Sequence, residues 1–462
     1  MNVFLLELSQ HLFVLIGFFV AFVAFVFVTR GRRSISNILA WLLFIFLIPY
    51  VGIPLFLIIG QRKLNWVLDK KRIKFANRNR IKKPESHVEL LLNTFGIMPP
   101  SQNNQVQLLA DGEIAYQTIT TLIEQATSSI LISTYRIADD NVGSTIFDCL
   151  VEKAKQGVQV CLLPDTIGNF GMFPKRKLKQ LRKAGGCVRH MMPLFHTPFR
   201  GRMNLRNHRK IMLFDDQHAV IGGMNLTKEY LGPTPDKKRW IDLSFLLQGD
   251  VVTDLFSIFE SDWQFAASNM ETKEYQRPEL QYQHKGQSEI QTLASGPDTI
   301  GDPLYDAIIT SIYKAKQHIT FVTPYFVLDD ALQKALFIAL RRGVEMNIIL
   351  PRKSNHKIPD LVRSISLRKL HSEGANIYFS PKMLHAKLMI FDRHAIIGSA
   401  NLDLRSLLLN FEVSCILYTP KDIQQLEKWV ESVKQNCSTN LKKPSLMRMW
   451  LEDAAQLIKP LL

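Results

Sequence analysis

The chain has 462 residues, more than one domain usually holds, and its 57 Lys and Arg against 41 Asp and Glu give a formal net charge of +16. That charge indicates an acidic partner, either nucleic acid or an anionic lipid surface. The five scattered cysteines include no Cys-x-x-Cys pair, which argues against a zinc site and against a disulfide framework, so we expect no metal.

Two apolar segments open the chain. Residues 8–29 carry no charge apart from a possible one on His11, and residues 34–61 carry none. Each segment is long enough to cross about 30 Å of hydrocarbon as a helix. Residues 1–61 are therefore predicted to form a transmembrane helical hairpin, which favours lipid over nucleic acid as the partner.

Two alternatives remain for these segments. A cleaved signal peptide would explain the first, although a basic start and a small-x-small cleavage site are missing. Three helix-disturbing residues interrupt the second and leave a kinked or partly re-entrant helix open: Pro49, Gly52 and Pro54.

A basic stretch follows the second segment. Residues 62–83 contain ten Lys or Arg and a single acid, Asp69, whereas the loop between the segments has three arginines, Arg30, Arg32 and Arg33. Because the more basic side of a membrane protein is usually cytoplasmic, we expect a multi-pass membrane protein with the remaining chain in the cytoplasm. Residues 62–104 are read as a juxtamembrane linker.

The remainder of the chain is an internal repeat. Residues 130–140 match residues 320–330 in pattern, and in both halves a helical stretch and a second apolar strand follow. Apolar strands alternating with helices predict an α/β fold with two pseudo-symmetric lobes, each a mostly parallel sheet flanked by helices. The predicted lobes are residues 105–267 and 290–462, with a linker at 268–289 and a C-terminal helix up to Pro460.

Each half contains the same short motif. The first copy consists of His208, Lys210, Asp215 and Asn225, and the second of His385, Lys387, Asp392 and Asn401. A phosphodiester is a poor electrophile, so cleavage without a metal needs a nucleophile, a proton donor and a cationic cradle. Two motifs supply one His for each chemical role, two Lys for the phosphoryl oxygens and two Asn amides as donors.

This duplicated motif resembles the HKD motif of the phospholipase D superfamily. The apolar N-terminal segments and several further stretches make the resemblance closest to bacterial cardiolipin synthases over nearly the whole chain; these stretches include residues 48–53, 206–210, 240–243, 293–297 and 323–327. The resemblance implies that two phosphatidylglycerol molecules are joined into cardiolipin with release of glycerol, without a cofactor and without nucleic acid as a partner.

The resemblance also implies roles for individual residues. His208 is expected to attack phosphorus, and His385 to serve as acid and then as base. Lys210, Lys387, Asn225 and Asn401 would hold the phosphate. Asp215 and Asp392 are grouped with the catalytic residues as members of the motif, although bracing a strand end is the expected role.

Two more acids complete the expected site. Asp242 and Glu412 are candidates for the carboxylates that orient the histidines, and the spacing of Glu412 from Asn401 is the one seen in relatives. The sequence does not tell which His each acid serves.

The sequence departs from the family pattern at two points. Gly223 stands where relatives usually have Ser, while Ser399 is kept in the second copy. Five residues separate Asp392 from Gly398, against six between Asp215 and Gly222. We expect a tighter second turn, which could shift Asn401.

Other activities fit the same motif. A membrane-bound phospholipase D would resolve the same intermediate with water and give phosphatidic acid, and a phosphatidylserine synthase would use CDP-diacylglycerol and serine. A superfamily nuclease would fit the charge but not the apolar segments. A scaffold without activity would be expected to lose at least one of the four motif His and Lys, and all four are present.

Overall fold

The structure is a computed structural model. It describes residues 35–59, 82–169, 175–192, 205–266, 285–441 and 443–458, together with the isolated positions 11, 17, 22, 26, 71, 73, 75 and 80.

The second apolar segment forms two short helices, α1 (Ile35–Leu47) and α2 (Pro49–Ile59). The ring centroids of Trp41 and Phe56 lie 5.3 Å apart, whereas one continuous helix would separate residues 41 and 56 by about 22 Å. The chain therefore folds back at Ile48. Gly52 permits the close approach, because a Cβ there would lie 2.8 Å from the Cα of Ile45.

The prediction of one membrane-crossing helix over residues 34–61 is therefore wrong in this form, and the interrupted helix forms instead. The other predicted span, residues 8–29, lies outside the described residues apart from isolated positions. In the part of the chain that the structure describes, no helix combines the length and the apolar character needed to cross a bilayer.

Strands and helices alternate in the first half of the fold. After α3 (His87–Thr94) the elements are β1 (Ser101–Leu109), α4 (Gly112–Gln125), β2 (Ser129–Thr134), α5 (Asn141–Lys155), β3 (Gln159–Pro164), α6 (Lys175–Lys183), β4 (Cys187–Val188), β5 (Ile211–Phe214), β6 (His218–Gly222), β7 (Ser244–Gln248) and α7 (Asp250–Ala266). Asp111 and Asp140 cap α4 and α5 by accepting hydrogen bonds from backbone N–H groups of the first turn.

The second half repeats this order. Its elements are β8 (Ser288–Ser295), α8 (Pro303–Lys314), β9 (His318–Val322), β10 (Phe326–Val327), α9 (Asp330–Arg341), β11 (Glu345–Pro351), α10 (Lys357–Ser372), β12 (Asn376–Ser380), β13 (Leu388–Phe391), β14 (His394–Gly398), β15 (Leu402–Asp403), α11 (Leu404–Leu408), β16 (Glu412–Leu417), α12 (Pro420–Lys434) and α13 (Leu446–Ile458). The strands that follow the two motif histidines, β5 and β13, begin at Ile211 and Leu388.

Among the described residues, the strands of both halves join in one sheet of fourteen strands, in the order β12-β11-β9-β13-β14-β16-β8-β1-β7-β6-β5-β2-β3-β4. The predicted mostly parallel sheet is wrong, because only β12·β11, β11·β9, β2·β3 and β3·β4 are parallel pairs within it. The strands read as continuous apolar runs because helices cover both faces, and not because the pairing is parallel: α7 and α12 pack on one face, and α4, α5, α8 and α9 on the other.

The predicted lobe boundaries stay predictions. The two halves meet where β8 pairs with β1, and β8 begins inside the range assigned to the linker. Residues 267–284, most of that linker, lie outside the described residues.

Candidate active site

The two motif histidines approach each other because the segment that contains each of them pairs with the other half of the chain: Asn207 forms a β-bridge with Phe411, and Leu384 forms one with Ile241. The backbone N–H of His208 donates to the carbonyl of Phe411 at 2.9 Å, and that of His385 donates to the carbonyl of Ile241 at 2.7 Å. Phe411 and Ile241 immediately precede Glu412 and Asp242. The backbone pairing therefore brings each histidine next to an acid of the other half.

Each acid serves the histidine across the interface. Nδ1 of His208 lies 3.0 Å from Oε2 of Glu412, and Nδ1 of His385 lies 2.7 Å from Oδ2 of Asp242. Both carboxylates are buried. Because a carboxylate only accepts, Nδ1 carries the proton of a neutral imidazole and Nε2 keeps its lone pair. Such a nitrogen can attack phosphorus or take up a proton.

Both histidines are held neutral at pH 7. Burial lowers the pKa of His385 to about 3, assisted by the nearby charge of Lys387 and opposed by Asp242. Burial also lowers the pKa of His208, which Glu412 opposes and Lys210 reinforces. A histidine below its usual pKa is unprotonated at neutral pH, so both histidines are nucleophiles or bases until negative charge enters the site.

The two motif lysines form a cationic pair. Nζ of Lys210 donates to the carbonyl of His208 at 3.0 Å. Nζ of Lys387 lies 2.6 Å from Nδ1 and 3.1 Å from Nε2 of the His385 ring. Burial lowers the pKa of Lys210 to about 7, with repulsion by Lys387 contributing, and burial lowers the pKa of Lys387 to about 8. An anion between these ammonium groups would stabilise their charged forms.

Asn225 and Asn401 lie just beyond the strands that pair with the motif strands. Both are buried, and each comes three residues after the glycine that ends β6 or β14. Nδ2 of Asn401 donates to Oγ of Ser406 at 3.2 Å. The two asparagines thus hold equivalent positions in the two halves.

The structure does not bring Asp215 and Asp392 into this site. They lie at the far ends of β5 and β13, where Asp215 accepts the backbone N–H groups of residues 127–129 and Asp392 those of residues 316–318. These hydrogen bonds hold the pKa of both carboxylates below its usual range, although burial opposes the shift. This geometry corrects the grouping of Asp215 and Asp392 with the catalytic residues. Asp215 instead braces the start of β2, and Asp392 braces the start of β9.

The shorter spacing in the second motif lies at the same far end. Three residues, 215–217, connect β5 to β6, whereas only 392 and 393 connect β13 to β14. Since β6 and β14 have the same length, the missing residue does not reach the site. The expected tighter turn is present, but it gives no reason for Asn401 to shift.

The exchange of Ser for Gly at position 223 has a steric explanation. A Cβ on Gly223 would overlap the carboxylate of Asp242, 2.8 Å from its Oδ2. In the other half, Oγ of Ser399 donates to Oε2 of Glu412 at 2.5 Å. Asp242 instead accepts from the backbone N–H of Leu243 at 2.7 Å. Gly223 is thus paired with the shorter acid, Asp242, and Ser399 with the longer acid, Glu412. Both pairs place a carboxylate against a motif histidine.

Gly223→Ser is expected to reduce turnover about tenfold, because the added atoms displace the carboxylate that orients His385. Gly223→Ala should have the same effect if the cause is steric. Ser399→Gly is the matched control, since it removes a hydrogen bond from Glu412 without moving it. Initial rates of the three purified variants provide the measurement, and wild-type rates for Gly223→Ser would contradict the explanation.

Aromatic residues complete the walls of the site. Tyr230 and Trp240 surround His385, with ring centroids at 5.0 and 5.6 Å, and Tyr135 lies edge-on to His208 at 5.2 Å. Burial raises the pKa of Tyr325, and the nearby Tyr135 adds to that rise. Nothing in the sequence indicated Tyr230.

A buried group of four charges lies beneath the first motif and was not predicted. Arg209, between His208 and Lys210, contacts Asp262 at 2.6 Å and Asp298 at 2.9 Å. Lys71, from the basic stretch, contacts the same acids at 2.5 and 2.8 Å. Burial alone would raise the pKa of Asp298, but the two cations outweigh it and lower that pKa. Lys71 of the juxtamembrane stretch is therefore linked through the carboxylates of Asp262 and Asp298 to the side chain of Arg209 in the first motif.

Within the described residues, no group of three or more His, Cys, Asp and Glu side chains could hold a metal ion. The chemistry described above uses only the histidines, lysines and carboxylates of the chain.

Known proteins resemble this chain over most of its length. The family model described as "Cardiolipin synthase, PLD-like domain" matches residues 119–263 and 308–434, and the model "Phospholipase_D-nuclease N-terminal" matches residues 19–61. The major cardiolipin synthase of Bacillus subtilis is 31% identical, covering 95% of this chain and 96% of its own. A cardiolipin synthase of a Geobacillus species is also 31% identical, over 99% and 95%.

A solved structure shares the fold. The phosphatidylserine synthase of Haemophilus influenzae superposes with a TM-score of 0.64 at 16% identity, covering 82% of this chain and all of its own. At that identity the likeness concerns the fold alone.

Proposed function

Because this chain belongs to the family of cardiolipin synthases with phospholipase D-like domains, we propose that it transfers a phosphatidyl group between two phosphatidylglycerol molecules, giving cardiolipin and glycerol. The observation that carries the proposal is the pair of histidines, His385 buried and His208 partly buried, each held by a carboxylate from the other half. Relatives matching nearly the whole chain are named for the same product.

In the first step, Nε2 of His208 attacks the phosphorus of one phosphatidylglycerol. A P–N bond forms while the bond from phosphorus to the head-group glycerol breaks, and His385 gives its proton to the departing oxygen. His385 is neutral without added negative charge. A phosphate between the lysines supplies that charge, which raises the pKa of His385 and allows it to carry the proton.

In the second step, the neutral His385 takes a proton from the terminal hydroxyl of a second phosphatidylglycerol. The resulting oxygen attacks phosphorus, the P–N bond breaks, and His208 is regenerated as cardiolipin leaves. One phosphodiester replaces another of similar energy, so the exchange needs no nucleotide. Lys210 and Lys387 stabilise the negative oxygens, and the amides of Asn225 and Asn401 donate to them.

The test is the product formed from phosphatidylglycerol alone. Purified wild-type protein should yield cardiolipin and glycerol in equal amounts, with His208→Ala protein as the inactive control, both resolved by chromatography. Phosphatidic acid without cardiolipin would contradict the proposal in favour of hydrolysis. Product appearing only when CDP-diacylglycerol and serine are added would favour a phosphatidylserine synthase.

The proposal includes a location in the cell membrane, with the catalytic part in the cytoplasm. The turn between α1 and α2 exposes apolar side chains, including Phe46, Ile48 and Val51. The hairpin brings the end of α2 back toward the start of α1, and in the sequence the three loop arginines precede α1 while the basic stretch of residues 62–83 follows α2. That arrangement agrees with the cytoplasmic excess of Lys and Arg.

Chemical labelling tests this orientation. In a variant whose five native cysteines are replaced by alanine, Arg33→Cys should react with a membrane-impermeant maleimide only after the cells are opened. Reaction in intact cells would place the loop arginines outside and contradict the orientation.

A further inference from the structure

The C-terminal helix α13 packs against α10 through polar side chains. Glu452 is fully buried, and its carboxylate accepts from Arg368 of α10 at 2.6 Å and from Arg448 of its own helix at 2.9 Å. Gln456 donates to the carbonyl of Val362 at 2.9 Å. The side of α13 that faces the protein is therefore held largely by charged and amide groups.

The opposite side of α13 is exposed and mostly apolar, with Asp453 as its one exposed acid among the described residues of the helix. We call it the outer face; Trp450 is its most exposed member at 77%, and it consists of Leu446, Met447, Met449, Trp450 and Leu451. A helix on a protein in water normally buries its apolar side and exposes its polar side. α13 does the reverse, which indicates that its outer face meets a nonaqueous environment.

The helix lies next to the candidate active site. Ala455 of α13 packs with Val362 of α10 and with Val327 of β10, and Val327 comes two residues after Tyr325. Tyr325 is only half-buried and donates to Oδ1 of Asn355 at 2.6 Å. One packed unit thus joins the outer face of α13 to the edge of the site.

Exposed cations surround this unit. Lys353 and Lys357 are exposed beside the start of α10, where Ile358 is also exposed, and Lys443 is exposed just before α13. Apolar side chains with an aromatic member, bordered by lysines, match the boundary between the acyl chains and the anionic head groups of a bilayer. Lysine is depleted in protein–protein interfaces relative to the rest of a protein surface, which favours the bilayer over a second protein as the partner.

We propose that the outer face of α13 inserts into an anionic phospholipid bilayer and holds the active site against the lipid surface. The inference rests on the proposed function, since a substrate anchored in the membrane must reach His385, which is buried, and His208, which is partly buried. The N-terminal segments would then anchor the chain, while α13 orients the catalytic part on the bilayer.

Activity on two forms of the substrate tests the proposal. The full chain and the variant Met447→Gln/Trp450→Gln/Leu451→Gln are assayed with phosphatidylglycerol in vesicles and in detergent micelles. We expect a loss of about tenfold or more on vesicles and a change within about twofold in micelles, where substrate reaches the site without a bilayer. Ile300→Gln, which alters an exposed apolar residue elsewhere, should leave both rates unchanged. Equal rates on vesicles, or equal losses on both substrates, would overturn the proposal.

A second measurement does not depend on activity. Nitroxide-labelled phospholipid should quench the fluorescence of the reconstituted wild-type protein more than that of Trp450→Phe, because Trp450 lies in the lipid. Equal quenching would overturn the proposal. If the wild-type protein made no cardiolipin on either substrate, the proposed function would fail, and the quenching would still decide whether α13 enters the bilayer.

Discussion

His208→Ala is expected to reduce phosphatidyl transfer by about four orders of magnitude or more, because the covalent route loses its nucleophile. The side chain's hydrogen bond to Glu412 is the contact that the substitution removes, so the fold should persist. Cardiolipin formation from labelled phosphatidylglycerol measures the loss, and thermal unfolding of the same preparation shows whether the variant remains folded.

His385→Ala provides the contrast. A phosphatidyl donor with an acidic leaving group, such as a nitrophenol, needs no protonation to depart. The variant should therefore release nitrophenol in a burst, yet form cardiolipin very slowly for lack of a base. The phosphatidyl group should then remain on His208, where mass spectrometry of acid-quenched peptides would locate it. A phosphoryl group on His385 in the wild-type protein would reverse the two roles.

The sequence predicted more of the chemistry of the site than of its three-dimensional arrangement. The residue types and spacing of each motif indicated phosphodiester chemistry. The pairing of Glu412 with His208 and of Asp242 with His385 could not be read, because it depends on how the halves face each other. Apolar strand runs indicated parallel pairing, although burial on both faces produces the same pattern.

Lys71 shows a second limit of prediction from the sequence. It is one of ten basic residues in the stretch 62–83, which belongs to the predicted juxtamembrane linker. The local sequence does not distinguish Lys71 from the other basic residues of that stretch. Only the folded chain brings it to Asp262 and Asp298, both fully or nearly buried and more than 190 residues away in the chain. Arg209 was likewise not predicted to have a role, although roles were predicted for His208 and Lys210 on either side of it.

Exchanging the cross-lobe carboxylates for amides should slow the enzyme by about two to four orders of magnitude. In Glu412→Gln, an N–H group facing Nδ1 of His208 would favour the tautomer that carries its proton on Nε2, which removes the attacking lone pair. Asp242→Asn would do the same to His385 and impair proton transfer. Both substitutions keep the size of the side chain, so the effect can be separated from a packing defect by comparing thermal unfolding.

The two variants should differ with the nitrophenol donor. Asp242→Asn affects the residue that protonates the leaving group, so its burst of nitrophenol should approach that of the wild type. Glu412→Gln affects the nucleophile, so its burst should stay slow whichever group leaves. The opposite pattern would mean that His385 is the nucleophile. Of the two motif histidines, each acid contacts the one in the other half. An equally fast burst of nitrophenol from both variants would therefore contradict separate roles for the two histidines.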